Sequence, residues 1–169
     1  WAGSNRRTDG YGGDDITHRA RFPAEIIAAI RAECGPDFII SLRFSQWKEV
    51  DYTARVAPTP EELAVLVTLL GQAGAGVLHA SSRRSWEAEW AGDHRNLAGW
   101  AKAASGLATI TVGSFRPDMD VMDTFTGDRE PGPRVAEAVG EQGARLAAGE
   151  CDLVAVGRVP GATGLSWDE

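Results

Sequence analysis

The chain has 169 residues and a net charge of −7 at pH 7. That length sets one domain as the expectation, and that charge argues against a general nucleic-acid or anionic-membrane surface. No apolar run approaches the roughly 18–20 residues that cross a bilayer, and the widely separated Cys34 and Cys151 lack metal-ligand spacing, so a reduced, cytoplasmic setting without membrane or nucleic-acid partners is expected.

Helices and strands alternate along the sequence. Residues 21–34 read as a helix with Ile26, Ile27 and Ile30 on one buried face; Gly35-Pro36 stops it, and Pro23 suits a first turn better than a middle one. Residues 38–45 follow as a strand. Thr59-Pro60-Glu61-Glu62 is a helix start, with Thr59 as N-cap, Pro60 at the first helical position and Glu62 closing a capping box. This helix runs to about Gly71, and Leu63, Leu66, Val67 and Leu70 form its buried stripe. Residues 76–81 read as a strand, 97–104 as a short helix ending at Gly106, and 109–114 as the next strand. Residues 133–148 form a last helix weakened by Gly140 and Gly143, before a strand over 153–158.

This alternation predicts parallel α/β architecture, and nearly continuous apolar strands fit a sheet covered on both faces. A closed (β/α)8 barrel takes roughly 250 residues, so four such units make about half of one. The sequence begins at Trp1 rather than Met and reads as a processed chain or a fragment. The long connections 46–58, 82–96 and 115–132 all follow strands, which places them at the C-terminal face where barrel active sites sit. Trp47, Trp86 and Trp90 lie within these connections and Trp100 just beyond, as candidates for a pocket wall.

Two strands end on glycine, at Gly113-Ser114 and at Gly157-Arg158. Glycine there lets backbone N–H groups approach an anion, and barrels commonly bind phosphate in the loops after their last two strands. Arg158 adds a guanidinium suited to phosphate. Arg43, inside a strand between Leu42 and Phe44, must reach water, a carboxylate or an anionic ligand, because burying it unpaired is very costly. His79, near the carboxyl end of its strand, reads first as a satisfied core histidine and second as a residue lining a pocket. The three histidines have no metal spacing, and no serine has a nucleophile-elbow context. Gly71-Gln72-Ala73-Gly74-Ala75-Gly76 lies between a helix and a strand, the wrong context for a dinucleotide loop, and reads as a helix cap and turn.

Beyond these readings, Asn5, Arg7, Asp9, Tyr11, Gly12 and Gly13 spell an Asn-x-Arg-x-Asp-x-Tyr-Gly-Gly signature. With Arg-Phe-Ser-Gln-Trp-Lys at 43–48, the stretch 81–90, Leu97-Ala98-Gly99-Trp100, and the two glycine-ended strands, the chain resembles the Old Yellow Enzyme family of FMN-dependent NAD(P)H:flavin oxidoreductases, in its branch related to 12-oxophytodienoate and 2,4-dienoyl-CoA reductases. The resemblance implies strands 5 to 8 of a (β/α)8 TIM barrel, residues 1–169 forming the C-terminal half of an FMN-binding domain. It implies FMN as cofactor and NADH or NADPH as reductant. Hydride would pass to the flavin and then to the β-carbon of an α,β-unsaturated carbonyl compound, a small-molecule substrate. Arg43 would contact the flavin ring, Gly113, Ser114, Gly157 and Arg158 would hold its phosphate, and Trp86 would line the substrate pocket. The signature itself would brace a loop through Arg7 and Asp9, with the glycines permitting its turn.

The sequence departs from the family at informative places. No counterpart of the substrate-holding His pair or of the tyrosine proton donor is present, so no catalytic residue is assigned. After Gly13, only Arg19 matches the usual continuation, and after Arg158 the segment Val159-Pro160-Gly161 replaces the usual one. Weak or no activity is therefore expected of the chain by itself, pending a missing N-terminal half. The alternative is a non-catalytic half-barrel that forms a homo-oligomer through its open edges and binds a phosphorylated ligand.

Overall fold

The computed structural model describes residues 5–48, 51–114 and 135–156. Four strands, β1 (Ser41–Ser45), β2 (Val77–Arg84), β3 (Ala108–Ser114) and β4 (Leu153–Val154), form one sheet in the order β1-β2-β3-β4. All three pairings are parallel. The helices are α1 (Ile16–Cys34), α2 (Pro60–Gln72), α3 (Leu97–Ser105) and α4 (Val135–Ala147). Each strand is hydrogen-bonded to the next in sequence. Parallel neighbours need crossover connections, and α2 lies in sequence between β1 and β2, α3 between β2 and β3, and α4 between β3 and β4.

Local chemistry fixes most boundaries. The Thr59 hydroxyl accepts from the Glu62 N–H and Pro60 opens α2, as the sequence predicts, while the Glu62 carboxylate lies 3.4 Å from Arg19. Gly106, in the left-handed region at φ 68°, ends α3. The Asn96 side chain caps α3 by accepting from the Gly99 N–H, and its amide donates to Ser85 O and Thr111 Oγ1, so one buried side chain joins loop, helix and strand.

Several boundaries differ from expectation. The first helix begins at Ile16, not near residue 21, because Asp15 caps it by accepting from the Thr17 N–H. Pro23 therefore lies buried inside α1, where the missing N–H costs one helical bond without ending the helix. Ile27 is buried, but Ile26 and Ile30 are exposed and join Phe22 in an outward stripe. The strand expected from residue 38 starts at Ser41, leaving Phe38 and Ile39 exposed on the β1 side. Conversely β2 runs three residues beyond Ser81, through a register shift against β3.

The core lies between sheet and helices. Leu63, Leu66, Val67 and Leu70 of α2 are all buried, as are Leu97, Ala98 and Ala101 of α3, and they cover Phe44, Leu78 and Ala80. The opposite face carries a row in register across all four strands: Arg43, His79, Ile110 and Leu153. Leu153 is 59% exposed. In a closed barrel this face is the interior.

Candidate functional site at the carboxyl ends of the strands

The signature loop 5–13 forms a self-contained brace. Asn5 Nδ2 donates to the Tyr11 carbonyl at 2.7 Å, and its Oδ1 accepts from the Arg7 N–H. Arg7 grips Asp9 through two hydrogen bonds, and Asp9 accepts in turn from the Tyr11 N–H. The Tyr11 ring lies beneath the guanidinium groups of Arg7 and Arg21, at 5.0 and 4.5 Å, while its hydroxyl donates to Glu25. A Cβ on Gly12 would collide with the Arg7 backbone, and Gly13 has φ +87°. The loop thus locks the start of α1 by the means its residues predict.

Arg43 projects from β1 on the open face. Its Nη2 donates to Ser81 Oγ at 3.1 Å, and it has no carboxylate partner among the described residues. An exposed guanidinium held by a hydroxyl keeps its charge available, so of the two expectations the ion pair is absent among those residues. Beside it in the ladder stands His79. Burial and the charge of Arg43 both lower its pKa, which keeps the imidazole neutral. Its Nε2 is buried without a hydrogen-bond partner. His79 is therefore no satisfied core histidine; it belongs to the same row as Arg43.

Gly113 and Ser114 close β3, where Ser114 pairs with Arg84. A Cβ on Gly113 would stand 2.5 Å from the Ser85 nitrogen. The glycine is thus required by the backbone of the 82–96 loop, a reason distinct from access to an anion. Arg43 and Gly113 are two strands apart, and Gly113 lies three residues past Ile110 in the Arg43 row. Strand geometry puts their backbones about 14 Å apart. Gly157 and Arg158 lie outside the described residues.

At the carboxyl ends of β1 and β2, the last residues of β2 and the segments after both strands line a cavity of about 140 Å3, with Trp47, Tyr52, Arg55, Ser82, Arg83 and Glu89 among its walls. Trp47 and Tyr52 meet edge to face at 5.2 Å. Gln46, 2% exposed, anchors the first loop by donating to Ala57 O and accepting from the Val56 and Ala57 N–H groups. Burial pushes the Glu89 carboxyl up to about 7, against the opposing pull of Arg55, whose Nε is 3.8 Å away. Of the expected wall residues, Trp47 lines the cavity. Trp90 donates to Pro58 O and packs edge to face on Trp100, tying the two loops to α3.

Trp86 is not among the residues lining this cavity; its carbonyl accepts from Arg145 of α4. Arg145 is 7% exposed and also reaches His94 O, Glu141 and Glu150. Glu150 further pairs with His94 Nε2 at 2.8 Å. Sequence reasoning missed this clamp. The only local signal is the i,i+4 spacing of Glu141 and Arg145, which is common on exposed helix faces.

A family profile described as "NADH:flavin oxidoreductase / NADH oxidase family" matches residues 2–131. The NADH oxidase of Thermoanaerobacter brockii is 32% identical over 166 residues, covering 92% of this chain and 21% of that protein. Morphinone reductase, solved in complex with tetrahydroNAD, superposes with a TM-score of 0.60 at 26% identity, over 92% of this chain and 34% of its own. The old yellow enzyme from Trypanosoma cruzi gives 0.60 at 18% identity, over 90% and 33%, a likeness of fold. The chain thus spans about a fifth of the first curated relative and a third of the solved structures. Its four parallel strands are a part of their barrel, and the chain belongs to the NADH:flavin oxidoreductase / NADH oxidase family.

Proposed function

We propose that this chain supplies the FMN-holding strands of an NAD(P)H-dependent ene-reductase acting on the activated C=C bond of α,β-unsaturated carbonyl compounds. The family's cofactor is FMN and its reductant NAD(P)H. When bound, the flavin supplies the two-electron chemistry. The residues present fit one edge of it. The observation that carries the reading is Arg43, a charged guanidinium on the open face with a hydroxyl but no carboxylate partner among the described residues.

Arg43 would hold positive charge against the ring system of the bound flavin. His79, neutral and with an unpartnered Nε2, offers a further polar contact in the same row. The backbone at Gly113 and Ser114 stands about 14 Å away along and across the strands, a span that an arginine side chain, a ribityl chain and a phosphate cover together. Gly157 and Arg158 are assigned to the same phosphate from the resemblance, and Trp86 to the substrate side. Reduction of a C=C bond is supported by the similarity to morphinone reductase.

Turnover requires strands that cover the β1 side. Phe38 and Ile39 are exposed there, at 51% and 76%, and the outward stripe of Phe22, Ile26 and Ile30 runs along α1. Co-expression with the preceding strands of the Thermoanaerobacter brockii NADH oxidase tests this. NADH-dependent loss of 2-cyclohexenone, absent from either part alone and from the Arg43→Ala pair, is expected. A reconstituted pair that binds FMN but only consumes oxygen overturns the ene-reductase reading. A stable dimer of the chain alone that binds inorganic phosphate and not FMN favours the non-catalytic alternative.

A further inference from the structure

We infer that Ser81 and His79 of β2 are positioning residues for Arg43: the serine draws the guanidinium toward the carboxyl ends of the strands, and the neutral imidazole occupies the level behind it. Arg43 stands opposite His79 in the parallel ladder, and Ser81 lies two residues farther along β2. Residues i and i+2 of a strand share a face, so His79 and Ser81 both flank the Arg43 side chain, about 6.6 Å apart along their strand. Of these two neighbours, the Arg43 Nη2 donates to the farther one, Ser81 Oγ, at 3.1 Å. The side chain therefore runs along the strands toward their carboxyl ends. Ser81 is 8% exposed, whereas Arg43 itself is exposed. Packing thus fixes the acceptor, while the charge it orients stays open to a ligand.

His79 keeps the row behind this contact free of a second charge. Burial, and then the charge of Arg43, hold its pKa below the ordinary 6.5. Its Nε2 is buried without a hydrogen-bond partner, so no acceptor stabilises a proton on that nitrogen. Arg43 is its charged neighbour on β1, and its neighbour in register on β3 is the apolar Ile110. Arg43 has no carboxylate partner among the described residues, so one hydroxyl sets its direction. A hydroxyl acceptor orients a guanidinium without neutralising it, as a carboxylate would. The charge is thereby preorganised at the end of the strands, where a ligand meets it without the cost of ordering a long side chain.

That the ligand is a flavin rests on the reading proposed above, whereas the aim of Arg43 is a property of the flavin-free chain. The test is an NMR titration of the His79 ring protons in that chain, assigned by their loss in His79→Gln. The parent titrates below 6.5, and Arg43→Met should raise the value, since the imidazole senses the guanidinium. In Ser81→Ala the released guanidinium falls back toward its own level and should lower the value further. Ser81→Thr keeps the hydroxyl and should restore the value of the parent. FMN affinity should fall about three- to tenfold in Ser81→Ala, the loss of one hydrogen bond, and recover in Ser81→Thr. A His79 pKa that either Arg43→Met or Ser81→Ala leaves unchanged overturns the inference, as does equal FMN affinity in the parent and Ser81→Ala. If the parent binds no FMN, the flavin reading fails and the His79 titration alone decides the aim. If Ser81→Thr does not fold, the comparison of the parent with Ser81→Ala decides.

Discussion

Gly113 abuts the Ser85 backbone at the end of β3, so closely that a Cβ on the glycine would stand 2.5 Å from the serine nitrogen and 3.0 Å from the Arg84 carbonyl carbon. Main chain cannot yield as a flexible side-chain tip can. Gly113→Ala is therefore expected to destabilise the fold by about 2–3 kcal/mol, read as a lower urea midpoint by circular dichroism. An unchanged midpoint would mean that the 82–96 loop moves aside, and would return Gly113 to the role of anion access alone.

The clamp at Arg145 makes a different forecast. One buried guanidinium holds two loop carbonyls and two carboxylates. Removing one partner of a buried pair costs about 3–5 kcal/mol, because the other charge stays behind unpaired. Arg145→Met should lose that much stability and open the 82–96 loop to limited proteolysis. Intact protease resistance in the variant would show that α4 does not hold the loop.

Stability should also depend on pH through Glu89. Its folded pKa of about 7 lies above the ordinary value of 4.5, so the folded chain binds this proton more tightly than the unfolded one. The associated stability is full below about pH 4.5 and is lost as pH rises through 7. The shift corresponds to about 3 kcal/mol. Glu89→Gln should flatten this part of the profile and be more stable than the parent at pH 8. Parallel profiles for the two proteins between pH 5 and pH 8 would contradict it.

Much of this architecture is legible in local sequence. Thr59-Pro60, Gly106 and the Leu63-Leu66-Val67-Leu70 stripe each carry their information within one or two helical turns, and the structure places them as read. The start of α1 was obscured because Pro23 outweighs the weaker Asp15 cap signal. The outward face of Ile26 and Ile30 looks like core in sequence, since periodicity records an apolar stripe and not what covers it. The Arg43–His79 row depends on strand register, and the Arg145 clamp on a contact across 59 residues. Beyond the common i,i+4 spacing of Glu141 and Arg145, neither has a local pattern. Gly113 reads in the sequence as a point of anion access, whereas its contact with the Ser85 backbone appears only in three dimensions.

Titration of FMN with the purified 169-residue chain, followed by flavin fluorescence and the visible spectrum, tests the central claim most directly. Quenching with a shifted spectrum is expected, with affinity at least about tenfold weaker in Arg43→Ala, in keeping with the loss of hydrogen bonds to a charged group. Absence of binding, or binding that Arg43→Ala leaves unchanged, would contradict the assignment of Arg43 and the open strand face to the flavin.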